Sequence, residues 1–177
     1  MTRTIRRQLS LFAPDAARGL LDALRAVLDP VQHRLIPAHV TLCREDELGA
    51  LGATAISTAL ALRTPAALTL VFGPAESFDG HGIRLPCIEG EEHFHQLRAQ
   101  ILAHAFPEHT LRRPAAHLTL AHPRNPRATG NTLAEARRVP SRLPLAFPAV
   151  QLIEQVDAAP WTVVASFPLE THGGSDA

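Results

Sequence analysis

The sequence predicts a single α+β domain of two similar lobes, because strand-like and helix-like segments follow each other in the same order twice. A weak internal repeat supports this prediction. LRAVL (24–28), a loop and PAHVTL (37–42) parallel LRAQIL (97–102), a loop and PAAHLTL (114–120). Duplication of one such unit would place the lobes face to face across a pseudo-two-fold axis. We expect the domain to span residues 1–171 and residues 172–177 to form a disordered tail.

The first half reads as strand, helix, motif strand, helix and strand. RQLSLF roughly alternates polar and apolar residues, as a half-buried strand does. In the helix that follows, the apolar residues recur at helical spacing at Leu20, Leu21, Leu24, Val27 and Leu28. The predicted elements are Arg7–Phe12, a helix opened by Pro14 and Asp15 and ended by Pro30, Ala38–Cys43, Glu45–Leu62 and Leu68–Phe72.

The second half repeats this order after a turn at Asp79, Gly80 and Gly82. Pro86 lies inside its first strand and therefore predicts an edge strand or a bulge, since proline cannot donate to a sheet ladder. The predicted elements are a strand at Ile83–Ile88, a helix at Glu91–Ala105, a motif strand at Ala116–Ala121, a loop at Pro123–Gly130, a short helix at Leu133–Arg138 and two strands around Val150–Val156 and Trp161–Phe167.

Composition limits the class of protein. Of the 177 residues, 46% are hydrophobic, which is ample for a packed core. The 17 basic residues are all arginine and balance 17 acidic ones, whereas a sequence-independent duplex binder is usually strongly basic. No run of about 18 apolar residues is present, and the N-terminal segment lacks the apolar run of a signal peptide. We expect a cytoplasmic protein without a membrane span, and the two cysteines to be reduced thiols.

Two His-x-Thr-Leu motifs hold the candidate catalytic residues. Side chains alternate along a strand, so His39 and Thr41 share one face, and His117 and Thr119 do the same in the second motif. Two imidazoles on either side of one phosphorus suit general acid–base hydrolysis, with one neutral and one protonated. The threonine hydroxyls can bind non-bridging phosphate oxygens. A lone His-x-Thr is usually a half-buried histidine, but two copies with matched apolar interleaving favour catalysis.

The other histidines and cysteines do not suggest a metal site. His93 and His95 are two apart on a predicted helix and point to different sides, so we expect exposed histidines there. Strand alternation places Cys43 on the face of His39, and one thiol beside one histidine is not a ligand set. We therefore expect no metal and no cofactor, full activity in chelator, and a bell-shaped pH profile with its maximum near neutrality.

At these motifs the chain resembles the two-histidine (2H) phosphoesterase superfamily, in particular its 2′-5′ RNA ligase-like and RNA 2′,3′-cyclic phosphodiesterase branch. The resemblance covers about residues 3–169, from RRQLSLF through HVTL (39–42) and HLTL (117–120) to SFPL (166–169). It implies a bilobal α+β fold in which two antiparallel sheets, flanked by helices and related by a pseudo-two-fold axis, hold both motifs in a central cleft. It also implies hydrolysis without metal.

The resemblance further implies an arginine two positions after the leucine of each motif, from which the second motif departs. Arg44 occupies that position after the first motif, and His122 after the second, with Arg124 two residues further on. Arg112 and Arg113 precede the second motif; they are either a substrate-guiding rim or solvated loop residues. Aromatic residues are sparse, so base stacking is limited, although Phe12 or Trp161 could serve.

Three functions remain open from the sequence. The first is a phosphodiesterase for RNA 2′,3′-cyclic phosphate ends or for related 2′-5′ or cyclic nucleotide phosphodiesters, acting as a monomer on RNA ends or nucleotides with no obligate protein partner. The second is a phosphodiesterase for a small non-RNA cyclic phosphate. The third is a non-catalytic nucleotide- or RNA-binding module, against which the intact histidine pair argues. The near-equivalent motifs do not distinguish the acid from the base.

Overall fold

The computed structural model describes residues 3–49, 53–54, 57–58, 67–79, 81–105, 112–125 and 133–169. The strands are β1 (Ile5–Phe12), β2 (His39–Cys43), β3 (Leu68–Phe72), β4 (Glu76–Phe78), β5 (Gly82–Glu89), β6 (His117–Ala121), β7 (Leu143–Phe147), β8 (Ala149–Val156) and β9 (Thr162–Pro168). The helices with defined bounds are α1 (Asp15–Leu28), α2 (Pro30–Leu35), α3 (Glu45–Leu48), α4 (Glu91–Ala105) and α5 (Leu133–Ala136). No helix within these ranges is long and apolar enough to cross a membrane.

Most predicted elements are present, but several details differ. The predicted helix over 45–62 breaks at Gly49, whose φ of +61° is left-handed, and most of its remainder lies outside the described residues. The predicted tail at 172–177 and the end of the loop at 126–130 also lie outside them. Three elements were not predicted, α2, β4 and β7, because they are short and have weak periodicity.

α1 packs on the sheet through one stripe of leucines. Leu21, Leu24 and Leu28 are buried, as their spacing predicts for a core-facing helix. Leu20 and Val27 belong to the same apolar pattern but are 39% and 46% exposed, because they lie at the margin of the stripe. The helix ends before Pro30, as predicted, and that proline opens α2 at its first turn.

The strands form one antiparallel sheet in the order β7-β3-β5-β6-β2-β1-β8-β9, with β4 paired to β5. The two motif strands, β2 and β6, lie side by side in the middle of this order. They join a β2-β1-β8-β9 half to a β6-β5-β3-β7 half through the pair Val40 and Leu118. These two halves of the sheet are the two lobes of the molecule, and the motif strands adjoin at the boundary between them.

The strands that complete each lobe come from the other half of the chain. β3 follows β2 in sequence but pairs with β5 and β7 in the second lobe. β8 comes after β6 and β7 but pairs with β1 in the first lobe. Each lobe therefore contains an interior strand that belongs to the opposite repeat in sequence. The repeat pattern did not predict this exchange.

One row of apolar side chains crosses the four central strands and faces the helices. Leu11 on β1, Val40 on β2, Leu118 on β6 and Leu85 on β5 stand opposite one another. All four are at most 1% exposed and belong to the main core cluster. Because successive strand residues point to opposite faces, the residues on either side of this row point to the other face of the sheet.

Pro86 lies in an interior strand. β5 pairs with β3 on one side and with β6 on the other, so the edge position suggested by this proline is wrong. The alternative, a bulge, agrees with the structure: register shifts occur at Ile83/Arg84 against β6 and at Val71/Phe72 against β3. Such irregularities accommodate a residue that cannot donate a ladder hydrogen bond.

Candidate active site

The register of the two motif strands brings the four predicted side chains onto one face. Val40 pairs with Leu118, and the strands are antiparallel. His39 therefore lies across from Thr119, and Thr41 lies across from His117. All four side chains are half-buried, whereas Val40 and Leu118 between them are buried in the core. The two motifs thus form a polar site of two histidines and two threonines on one face of the sheet.

The spacing of this site fits a phosphate group. Directly opposite residues on neighbouring strands have Cβ atoms about 4.5–5.5 Å apart, and diagonal neighbours are roughly 7–8 Å apart. His39 and His117 occupy one diagonal, and the two threonines occupy the other. Two imidazoles on such a diagonal can approach a tetrahedral phosphorus from opposite sides.

Each imidazole is fixed by a backbone carbonyl two residues earlier in the chain. His39 Nδ1 lies 2.8 Å from the carbonyl oxygen of Pro37, and His117 Nδ1 lies 2.8 Å from that of Ala115. A carbonyl only accepts, so Nδ1 carries the proton in both rings. In the neutral form Nε2 therefore carries a free lone pair and can accept a proton.

The two imidazoles differ in their electrostatic surroundings. Burial lowers the pKa of His39 to about 4, with the hydrogen bond to Pro37 opposing the shift and the charges of Arg25 and His117 adding to it. Burial also lowers the pKa of His117, opposed by the hydrogen bond to Ala115 and aided by Arg84. At neutral pH the free site therefore holds neutral imidazoles, and the cation that lowers the pKa is Arg25 for His39 but Arg84 for His117.

Phe78 and Arg84 extend the site on the second lobe. The Phe78 ring lies 4.8 Å from the His117 ring, and the Arg84 guanidinium lies 4.8 Å above the Phe78 ring. Arg84 pairs across β5 and β6 with Thr119 and forms an ion pair of 2.8 Å with Glu76. The guanidinium thus belongs to the same face as the four motif residues.

Phe12 and Ser10 occupy the equivalent region of the first lobe. Phe12 pairs with His39, and its ring meets that imidazole edge-on at 6.3 Å. Ser10 pairs with Thr41 and is fully buried, and its hydroxyl accepts a hydrogen bond of 2.9 Å from the Gln8 amide. The neutral Ser10 beside Thr41 in the first lobe thus occupies the position that the cationic Arg84 occupies beside Thr119 in the second. Trp161, the other aromatic candidate, instead packs near Arg6.

The predicted guiding arginines are exposed and already paired with acids. Arg44 and Arg112 both contact Asp46, at 3.4 and 2.9 Å, and Arg113 contacts Glu92 at 2.6 Å. These pairs lie at the starts of α3 and α4. Asp46 and Glu92 therefore offset much of the positive charge that these arginines carry.

His122 and Arg124 lie on the loop after β6. His122 Nδ1 accepts a hydrogen bond from the Arg124 backbone N–H, and burial lowers the pKa of its imidazole, with Asp29 opposing the shift. The buried carboxylate of Asp29 accepts from the His122 N–H at 2.9 Å and from the Asn125 amide at 2.7 Å. Asp29 thereby fixes the start of this loop.

Cys43 and His95 are both buried. Cys43 is fully buried in the core cluster, and burial raises its pKa to about 12. Beyond the register shift at Leu9/Ser10, Cys43 pairs with the core residue Leu9, whereas Thr41 pairs with Ser10. The prediction that Cys43 shares the face of His39 is therefore wrong. His95 is 9% exposed and packs on Phe94, so the prediction that it is exposed is wrong. Among the described residues no three His, Cys, Asp or Glu side chains form a metal-ligand group.

The family model of the 2′-5′ RNA ligase superfamily matches residues 13–159, which include both motif strands. The chain belongs to the 2′-5′ RNA ligase superfamily. This superfamily contains the 2H phosphoesterases, which are generally enzymes acting as phosphodiesterases or ligases. Among curated proteins, none matches the sequence.

Solved structures confirm the predicted fold class. LigT of E. coli in complex with 3′-AMP is 16% identical, with coverage of 93% of this chain and 97% of LigT and a TM-score of 0.62. TT0787 of Thermus thermophilus is 18% identical, with coverage of 94% and 99% and a TM-score of 0.60. A protein described as a phosphoesterase is 17% identical, with coverage of 93% and 97% and a TM-score of 0.63. The superfamily fold therefore extends over nearly the whole chain.

Sequence reasoning missed the groups around the motif residues. Arg84 and Phe78 are close to the second motif in space but are separated from it in sequence by α4. The turn at Asp79 and Gly82 indicates that β4 folds back on β5, so the contact between Glu76 and Arg84 could have been expected. Nothing in the sequence indicated that β5 borders the second motif strand.

Proposed function

We propose that the protein is a metal-independent phosphodiesterase that hydrolyses RNA 2′,3′-cyclic phosphate ends, or related 2′-5′ or cyclic nucleotide phosphodiesters. The observation that carries the proposal is the pairing of Val40 with Leu118, which sets His39 and His117 on one diagonal of one face. A nucleotide substrate is supported by LigT, a structural relative that has been solved with 3′-AMP, with NADP+ and with ATP.

In the proposed reaction His39 is the general base and His117 is the general acid. His39 Nε2 takes a proton from water as the water oxygen forms a bond to phosphorus. The bond from phosphorus to the leaving ribose oxygen breaks, and that oxygen takes the proton of His117 Nε2. The assignment rests on the stronger lowering of the His39 pKa, which keeps that imidazole neutral over a wider pH range.

The remaining groups of the site stabilise the phosphate. Among the described residues no protein group hydrogen-bonds the hydroxyls of Thr41 or Thr119, so both are available to donate to non-bridging oxygens. Arg84 adds a cation beside Thr119. Phe78 and Phe12 offer one ring on each side of the site, enough to contact one base or two.

A substrate panel tests the proposal. Purified protein is incubated in excess EDTA with 2′,3′-cyclic mononucleotides, oligoribonucleotides ending in a cyclic phosphate, 2′-5′ dinucleotides and a small non-nucleotide cyclic phosphate. We expect ring opening or cleavage of the nucleotide substrates, and none with His39→Ala protein. Binding of nucleotides without turnover would instead indicate a non-catalytic module, and turnover that requires an added divalent ion would contradict the proposed mechanism.

A further inference from the structure

The peptide bond that holds each imidazole is itself held by a carboxylate. In the first motif the carbonyl of Pro37 accepts from His39 Nδ1, and the N–H of the same peptide unit belongs to Ala38. That N–H donates to Asp22 Oδ1 on α1 at 3.1 Å. Carboxylate, peptide and imidazole thus form one continuous chain of hydrogen bonds.

The second motif contains the same chain built from different residues. His117 Nδ1 binds the carbonyl of Ala115, and the N–H of that peptide unit, which belongs to Ala116, donates to Glu91 Oε1 at 2.8 Å. Glu91 is the first residue of α4, and Gly90 before it has a φ of +88°. A Cβ at Gly90 would lie 2.4 Å from the Thr69 carbonyl oxygen, so glycine there allows the close approach that places Glu91.

The recurrence of this arrangement goes beyond what ordinary strand pairing requires. The carbonyls of Ala38 and Ala116 are bound by the N–H groups of Ala13 and Cys87, at 2.9 Å each, which is the expected ladder contact. Their N–H groups instead point to the helices, where an Asp serves in one lobe and a Glu in the other. Two side chains of different length, from two different helices, thus reach equivalent peptides.

We propose that Asp22 and Glu91 are positioning residues that act on His39 and His117 through one peptide unit each. A negative charge at the N–H end polarises the peptide and makes its carbonyl a stronger acceptor, because linked hydrogen bonds reinforce one another. The stronger carbonyl holds Nδ1–H and favours the imidazolium ion. The catalytic use of this relay rests on the proposed function, whereas its effect on the imidazoles does not.

The two relays differ in strength. Asp22 lies 3.5 Å from the buried guanidinium of Arg25, which offsets its charge and also donates to the Ile36 carbonyl at 2.7 Å. Within the described part of the chain Glu91 has no ion-pair partner. The relay to His117 is therefore the stronger one, and it supports the imidazole that must hold a proton as the general acid.

Other charged groups also act on His117 and must be kept constant in the test. Arg84 faces it from β5 and His39 from β2, and Glu91 is near His95 and Arg113 at the start of α4. Glu92 offers a matched control, because it is the next residue of the same helix, has the same charge, and is exposed and paired with Arg113. Replacement of either glutamate by glutamine changes the charge by one without changing the size of the side chain.

NMR titration of the full-length ¹⁵N-labelled protein tests the relay. In Glu91→Gln protein we expect the pKa of His117 to fall by about half a unit and its Nδ1–H resonance to move upfield. We expect kcat on the best substrate of the panel to fall about 10-fold with little change in KM, the size of effect seen when a group that orients a histidine is lost. Glu92→Gln protein should match the wild type in all three measurements.

A purely structural role gives a different result. The amide oxygen of the glutamine in Glu91→Gln protein can still accept the Ala116 N–H, so a role limited to geometry would leave the pKa and the Nδ1–H resonance of His117 unchanged, and that result would overturn the proposal. Asp22→Asn makes the same test on His39 if Glu91→Gln does not fold, with a smaller expected shift. A wild-type protein that cleaves no substrate would refute the proposed function, while the titration would still decide the relay.

Discussion

Each histidine of the pair has a carbonyl behind it and a phenylalanine beside it, but the nearby charges differ. Arg25 acts on His39, and Arg84 acts on His117. The buried guanidinium of Arg25 cannot move away, whereas Arg84 is shared with Glu76 at the edge of the site. This difference breaks the near-equivalence of the two motifs and supports different roles for their imidazoles.

The pH dependence follows from these shifts. Below its pKa of about 4, His39 is protonated and cannot act as the base; above the lowered pKa of His117, the acid has lost its proton. We therefore expect a bell-shaped kcat/KM profile with its maximum between about pH 4 and 6.5, on the acidic side of the neutral optimum that unperturbed histidines predict. A bound phosphodiester favours both imidazolium ions, so kcat should peak at higher pH. A kcat/KM maximum above about pH 7.5 would contradict the assignment.

Substitution of the motif residues separates their roles. We expect His39→Ala and His117→Ala each to lower kcat by about 10²–10⁴-fold, and the double mutant to be little worse, since the two residues act as a unit. Thr41→Val and Thr119→Val should cost roughly 10–10³-fold as lost phosphate donors. A leaving group that departs without a proton should restore much of the activity of His117→Ala but not of His39→Ala. Steady-state kinetics with two phosphodiesters, one with a ribose leaving group and one whose leaving group needs no proton, measure these losses. The exposed His93→Ala variant is the control.

Arg84 and Arg112 test which cation serves the substrate. Both are paired with acids, but Arg84 stands beside Thr119 on the polar face, whereas Arg112 extends from the surface towards Asp46. We expect Arg84→Gln to lower kcat/KM by about 10²-fold, as a lost cation near the phosphate should. Arg112→Gln should change it by less than about threefold, because exposed ion pairs contribute little. An equal loss in both mutants on a mononucleotide substrate would contradict the placement of Arg84.

At the scale of elements, a buried ion pair joins α3, α4 and β2. Arg98 on α4 and Glu47 on α3 are 3% and 8% exposed in their side chains, and a second bond from Arg98 binds the carbonyl of Leu42 on β2. Burial opposes ionisation of Glu47, but hydrogen bonds from Arg98 and the Arg44 N–H outweigh it and lower its pKa. This pair fixes both helices to the first motif strand.

Loss of one partner of this pair should destabilise the protein strongly. We expect Arg98→Ala to lower the free energy of unfolding by about 3–5 kcal/mol, because it leaves a buried carboxylate without its counter-charge. Replacement of both residues, as Glu47→Leu with Arg98→Met, should cost less than the single change. Arg113→Ala removes an exposed pair and should cost no more than about 1 kcal/mol. Urea titrations of these variants and the wild type measure this; an Arg98→Ala loss as small as that of Arg113→Ala would show that the pair is not desolvated.

The sequence was informative wherever a residue's role depends on neighbours within one element. Strand alternation was enough to put the two polar side chains of each motif on one face of its strand, and leucine spacing located α1. Contacts between elements were not readable in this way. Asp22 resembles any polar residue on the outer side of a helix, and only the pairing of strands shows what it reaches.

At the scale of the whole molecule, the two lobes cannot unfold separately. β3 lies between β5 and β7 although its chain neighbour is β2, and β8 lies beside β1 although it follows β7. Each lobe contains a strand from the opposite half of the chain. Unfolding of either half of the chain would therefore remove an interior strand from the other lobe. We expect one calorimetric transition with equal calorimetric and van't Hoff enthalpies, as in a small two-state domain. Two resolved transitions would show that the lobes are energetically independent.

The exchange of inner strands also bears on how such a chain could have arisen. If a single repeat once existed alone, its last strand had no place in its own sheet and needed a second copy to receive it. Two copies would then have formed a reciprocally swapped dimer, with one histidine from each subunit meeting at the β2–β6 seam. Fusion of the two genes would have made that union permanent. It would also have freed the two imidazoles from the identity that a symmetric dimer imposes, so that one could specialise as an acid and the other as a base.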